Sequence, residues 1–289
     1  MNPQPLIQAT LYAGAFFGIY SVAQRALPTP STILEVEDQR KKEKEKVEYF
    51  NAYPSILFGV AISLWSLHSI LDHGTSFVQP NIPAFQRPMV MAYGFFIHEF
   101  VLGVSHGHLD FNFLFHHVAS LAYAAIICHS GVNGAESVKA MMLCEITGPL
   151  RGLNIILKAY KKWSARKVVG TVSIVLFLSL RIVPLYKILV GFQLESVQMS
   201  FSVVFPTMIW FVSMSWVWDM VNKLSKLVAQ ALPGVELAQI PYKAMKRVRK
   251  LKALYLVLIG YISVHNLIFK IIEKMATESV EAVLDQIKG

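Results

Sequence analysis

Apolar runs close to membrane-span length recur along the whole chain, separated by short polar or charged stretches. They fall near 5–26, 53–71, 89–105, 112–130, 140–157, 168–192, 199–220 and 253–271. A helix needs roughly 20 apolar residues to cross hydrocarbon. The runs lack the strict apolar–polar alternation of a lipid-facing barrel strand. A helix also satisfies its own backbone groups where water is absent. The pattern therefore predicts eight helical spans and an all-α polytopic membrane protein.

Two segments break the pattern. The stretch 35-EVEDQRKKEKEKVEYF-50 carries mixed charge at helical density. It is expected as a solvated or headgroup-level helix linking the first and second spans. The stretch 231-ALPGVELAQIPYKAMKRVRKLK-252 ends in a basic cluster beside the last span. Such clusters favour anionic headgroups by about 1 kcal/mol per near-surface charge. The expected organisation is an N-terminal helix and charged linker over 1–52, a six-helix core over 53–222, and a basic loop, last helix and tail over 223–289.

Composition agrees with the spans. Hydrophobic residues make up 54% of the 289, charged residues only 16%, and the mean hydropathy is +0.48. Soluble domains carry about 25% charged residues. Residues 1–5 hold no Lys or Arg, so a cleavable signal peptide is not expected and the first run is read as a retained span. No internal repeat is visible.

The formal charge of +9 has a simple reading. With eight spans, both termini lie on one side. The loops on the other side then hold 19 of the 27 Lys and Arg residues. The positive-inside rule places that side in the cytosol or an equivalent compartment. No groove-reading motif accompanies the charge, so nucleic acid is not an expected partner. Cys128 and Cys144 lie in apolar runs and are expected as buried thiols; two cysteines define no disulfide framework.

Ionisable groups inside spans cost about 2.5–3.5 kcal/mol each at the bilayer centre and default to functional candidates. Here they are His68, His98, Glu99, His116, His117, Glu145, Arg151, Arg181, Lys187, Asp219 and His265. Counted from the basic-loop ends of three helices, Glu99, His117 and Arg151 lie at one depth, roughly 8–9 Å in. Adjacent His116 and His117 diverge by about 100°, so only one faces a given cavity squarely. Ser120 lies one turn beyond His116 on the same face. In 141-MMLCEITGPLRGLNII-156, Pro149 removes a backbone donor and frees the Glu145 carbonyl, while Gly148 and Gly152 permit close helix approach. Arg181 and Pro184 repeat that arrangement one span later. His106, His108, His116 and His117 cluster with Asp110, but the H-x-x-x-H and H-x-x-H-H boxes of membrane di-iron enzymes do not occur. No metal site is expected.

His116–His117 followed by Ala119-Ser120-Leu121-Ala122-Tyr123 resembles the central motif of the TLC-domain family, which includes ceramide synthases and lipid-homeostasis proteins. In order along the chain, 63-SLWSLHSIL-71, Gly94-Phe95-Phe96-Ile97-His98-Glu99, Glu145-Ile146-Thr147-Gly148-Pro149 and Leu180-Arg181-Ile182 resemble further elements of that family. The resemblance covers about 53–222. It implies a six-helix, barrel-like bundle around a lipid-sized cavity, with one extra helix at each end, in the endoplasmic reticulum. A mitochondrial inner membrane is the alternative. In ceramide synthases the His pair is taken to serve acyl transfer from acyl-CoA to a sphingoid amine. An imidazole can act there as general base or accept the acyl group.

This chain departs from that pattern. Glu99 stands where the family usually carries Asp. Gly152 and Asn154 follow the Glu-x-x-x-Pro element, with Arg151 displaced. The stretch 158-KAYKKWSARK-167 is basic where ceramide synthases carry acids. The expectation is therefore a non-catalytic TLC-type protein. Its lipid-binding cavity would be lined by His116, His117, Ser120, Glu99, Glu145, Arg151 and Arg181. Its partners would be membrane lipids and other subunits of a larger membrane assembly, with no cofactor. The alternative is a ceramide-synthase-like acyltransferase. It would take acyl-CoA as co-substrate, with His116 or His117 as base and Glu99 or Glu145 orienting it. A helper in cargo translocation is neither supported nor excluded by the sequence.

Overall fold

A computed structural model describes residues 4–75, 80–107, 111–130, 134–182, 184–185, 187–188, 190–191, 207–210 and 212–216. Among them the chain is helical, with no strand. The helices are α1 (Gln4–Ala26), α2 (Ser31–Leu34), α3 (Gln39–His73), α4 (Pro83–Ser105), α5 (Phe111–Ser130), α6 (Gly134–Glu145), α7 (Gly148–Ala159) and α8 (Trp163–Leu176). A π-helical turn, Phe177–Ile182, follows α8 and ends two residues before Pro184. Among the described residues, five stretches are long and apolar enough to cross a membrane: Gln4–Ala26, Gln39–His73, Pro83–Ser105, Gly134–Ala159 and Trp163–Arg181. A shorter apolar helix covers Phe113–His129. The expected spans at 199–220 and 253–271, and the basic cluster of 231–252, lie wholly or largely outside the described residues.

The charged stretch before the second span is not a separate linking helix. It is the first part of α3, which runs unbroken for 35 residues, roughly 52 Å at 1.5 Å per residue. Asp38 caps its start by accepting a hydrogen bond from the Lys41 amide at 3.0 Å. Residues 39–53 contain neither Gly nor Pro, so nothing stops the helix before the apolar run. Pro54 lies inside and is accommodated. Gly74, at φ 66°, ends the helix, and its amide donates to the Ile70 carbonyl.

Glycines set how closely the helices approach. A Cβ on Gly94 of α4 would sit 2.5 Å from the Ala9 carbonyl oxygen and 2.5 Å from Tyr12 Cβ, so α1 lies directly against α4. Phe16 of α1 then meets Phe95 edge-on at 5.2 Å, and Phe95 stacks on Phe58 of α3 at 3.9 Å. These rings belong to the largest buried cluster, with Ile62, Met89 and Ile127. On the other side of α3, Gly152 of α7 fits against Ile56 and Ala52, and Gly59 fits against the Pro149 ring.

The fifth expected span bends as anticipated from Pro149. α6 stops at Glu145, Ile146 and Thr147 form a turn, and α7 restarts with Pro149 in its first turn. Pro at that position needs no intrahelical donor. α6 is the more enclosed half, with nine of its 12 residues buried, whereas α8 has no buried residue.

Candidate functional site

Three helices bring polar side chains together in the interior. α4 contributes His98 and Glu99, α5 contributes His116 and His117, and α3 contributes Asn51 and Ser55. The Asn51 amide nitrogen donates to Glu99 Oε1 at 3.0 Å. Its oxygen faces His98 Nε2 at 3.0 Å, which fixes the proton on that nitrogen. Neighbouring residues on α4 thus straddle one amide that offers both a donor and an acceptor. The Ser55 hydroxyl lies 2.9 Å from Glu99 Oε1 and 2.8 Å from the Asn51 carbonyl, one proton between two acceptors. Glu99 Oε2 faces His117 Nε2 at 3.3 Å. That approach is close but not aligned as a hydrogen bond. His98, Glu99, His116 and His117 are all buried.

Rings enclose the layer. Phe17 of α1 meets the His98 ring edge-on at 4.4 Å, and Phe113 lies 3.9 Å from His117. Phe96 stands edge-on to His116 at 6.2 Å and to His117 at 5.8 Å. The expected divergence of the histidine pair is present: their rings are 5.3 Å apart at 78°. His117 turns to Glu99, and His116 turns to a second group.

That second group surrounds a cavity of about 20 Å³ lined by His116, Ser120, Tyr123, Cys144, Glu145 and Leu185, among others. A void needs about 10–15 Å³ to take one water. Glu145 occupies the last position of α6, at the shoulder of the bend. Among the described residues, buried His116 Nδ1 has no hydrogen-bond partner. Arg181 is buried beside this group and donates from Nη1 to the Cys144 carbonyl at 3.2 Å. Its guanidinium lies over the Phe177 ring at 5.0 Å and the Trp216 ring at 5.3 Å, while Nε and Nη2 have no hydrogen-bond partner among the described residues. Trp216 also meets His116 at 5.1 Å.

Arg151 borders the layer through Phe113, whose ring also lies against His117. It is exposed, with its guanidinium 5.6 Å over the Phe113 ring, and it stands at the rim. His68 is likewise on the outside of α3, 72% exposed and 3.2 Å from Asp72. Asp219 and His265 lie outside the described residues.

Sequence reasoning missed three polar groups. Asn51 and Ser55 are one turn apart on one face of α3. Asn51 precedes the expected start of the span at 53, and Ser55 inside it is an uncharged hydroxyl, so neither stands out as an ionisable group does. Glu136 is buried in the first turn of α6, with Lys139 at 3.5 Å, and a span starting at 140 left it out. The pairing of Asn51 with Glu99 also resets the membrane register of α3. Glu99 lies six residues before the end of α4, roughly 9 Å. The same distance along antiparallel α3 reaches Glu45, so its interior portion begins well before residue 53.

No protein-family model, curated protein or solved structure matches the chain.

Proposed function

We propose that this chain is a non-catalytic integral membrane protein of TLC type that binds lipid and serves as an accessory subunit of a larger membrane assembly. Its layout would be a six-helix core over 53–222 with one further helix at each end. The observation that carries this reading is the state of the polar layer. Glu99 is occupied by Asn51 and Ser55, and the space beside His116 holds about one water. A buried network of this kind pins α3 and α4 in register, each interhelical bond contributing about 0.6–2 kcal/mol. Acyl transfer needs an acid or base that reaches a bound thioester and amine. Lipid contact is supported from outside the bundle, where α8 presents Val168, Val172 and Val175 as exposed apolar surface.

One observation favours the acyltransferase alternative. Among the described residues, His116 Nδ1 and two nitrogens of Arg181 are buried without hydrogen-bond partners, beside a cavity that Glu145 lines. Those groups could meet a base's proton and a developing oxyanion once the cavity widened.

One experiment separates the two. The chain is purified at native mass in mild detergent, and co-purifying proteins and lipids are identified by mass spectrometry. Acyl transfer from acyl-CoA to a sphingoid base is then assayed for the wild type, His116→Ala and His117→Ala. The proposal expects a stoichiometric membrane partner, bound lipid and no transfer above background. Acyl-CoA-dependent amide formation that both alanine variants lose would overturn it.

A further inference from the structure

A second cleft lies at the opposite end of α3 from Gly74. The N-terminal turns of α3, short α2, the end of α7 and the start of α8 enclose about 220 Å³ there. That is roughly seven times one water's share of liquid volume, and below the about 300 Å³ where drug-sized sites begin. Its level in the membrane follows from the register. Asn51 lies beside Glu99, so Glu45 to Tyr49 fall level with the last turn of α4. This is the end of the bundle where Arg25, the 40–46 run and the 158–167 loop gather. Trp163, 53% exposed at the mouth, and Tyr160 mark it as an interfacial belt position.

The charges in the cleft are balanced. Two carboxylates, Glu45 and Glu48, face two ammonium groups, Lys158 and Lys161. Glu45 is paired with Lys158 at 3.1 Å. Glu48 is 44% exposed, and its ion-pair contact is Lys44 of its own helix at 3.9 Å, the loosest pair among the described residues. Lys161 contacts Glu35 at 3.5 Å with both side chains more than half exposed. Glu48 and Lys161 can therefore exchange these contacts for a ligand's at little cost. Beneath them the floor is fixed. Tyr49 is fully buried, and its hydroxyl bonds those of Tyr160 at 3.0 Å and Tyr53 at 3.1 Å. Thr32 donates to the Ala159 carbonyl and ties α2 across α7.

We propose that this cleft binds the headgroup of a zwitterionic membrane phospholipid. Its phosphate sits on Lys158 and Lys161 and its ammonium on Glu48. A purely anionic headgroup would set the same phosphate on the lysines but bring no cation to Glu48. The site is separate from the histidine layer and does not depend on whether the chain is catalytic.

The test uses the full chain, delipidated in mild detergent. It is offered equal amounts of phosphatidylcholine and phosphatidylglycerol with the same acyl chains, and retained lipid is read by native mass spectrometry. We expect phosphatidylcholine to be retained about five-fold over phosphatidylglycerol, and Glu48→Gln to reduce that preference about three-fold, the size of one exposed ion pair. Lys161→Gly removes the cation while keeping the left-handed backbone at φ 55° and is expected to weaken both lipids. Equal retention, a preference for phosphatidylglycerol, or a preference that both variants leave unchanged would overturn the proposal. Soluble glycerophosphocholine in excess distinguishes the source. Little displacement is expected of it, and full displacement would overturn a membrane lipid as the occupant. If either variant melts lower than the wild type, the wild-type competition decides alone.

Discussion

Asn51 holds two neighbours of α4 at once because an amide carries a donor and an acceptor. Replacing it with Leu would leave His98 Nε2 without an acceptor and Glu99 with Ser55 alone. A buried polar group stripped of its partner costs about 1–3 kcal/mol. Asn51→Leu is thus expected to lower stability by about 2–4 kcal/mol, read as an earlier thermal transition of the full chain in detergent. Glu99→Gln should cost less, because the amide oxygen still accepts from Asn51 and Ser55. The reverse order would show that the Asn51 bridge is not what holds the layer. At this scale the sequence was half legible. Glu99 and the histidines stood out because charge is rare in apolar runs. Their partners did not, since Asn and Ser are common at helix ends and only the fold shows that Asn51 lies at the depth of Glu99. Arg151 stands at the rim of that layer, because depth along a helix does not fix which face a side chain takes.

Close packing between elements rests on particular glycines, and the substitutions have opposite signs. Gly94→Ala puts a methyl 2.5 Å from the Ala9 carbonyl and Tyr12 Cβ, neither of which can rotate away. Overpacking of this kind costs about 1–3 kcal/mol. Gly14→Ala, on α1 with nothing within 4 Å, meets no such barrier and gains helix propensity of up to about 1 kcal/mol. Thermal scans of the two variants should therefore shift in opposite directions, and a common shift would count against the α1–α4 contact. A second pair tests the bend. Gly59→Ala would place its methyl 2.5 Å from Pro149 Cδ. Its cost should shrink in the Pro149→Ala background, where that ring atom is gone, giving a non-additive double-mutant cycle. An additive result would place the two residues apart. The bend itself was readable from Pro149, because a missing amide donor has a fixed local consequence. Which glycine would receive the proline was not readable, since Gly59 and Pro149 are 90 residues apart in sequence.

For the whole molecule, hydrophobic run length located the five helices that are long and apolar enough to cross a membrane among the described residues, but placed their ends poorly. The register of Asn51 against Glu99 extends the interior part of α3 toward Glu45, and the helix then carries its charged turns out of the hydrocarbon without a break. At roughly 52 Å, α3 exceeds the about 30 Å apolar thickness of a bilayer by several turns. Residues near its two ends must therefore reach water on opposite sides. The native cysteines suit a test, because Cys128 and Cys144 are both buried and should resist a membrane-impermeant thiol reagent. Glu43→Cys and Asp72→Cys each add one exposed thiol, 29 residues apart on α3. In sealed vesicles, added reagent is expected to modify one of the two, and the other only after the membrane is opened. Modification of both from the same side would mean that α3 does not cross the bilayer. The positive-inside rule adds a direction. Position 43 belongs to the basic end and should be the thiol on the cytosolic face, whereas labelling of position 72 from that face would invert the topology read from the 19 basic loop residues.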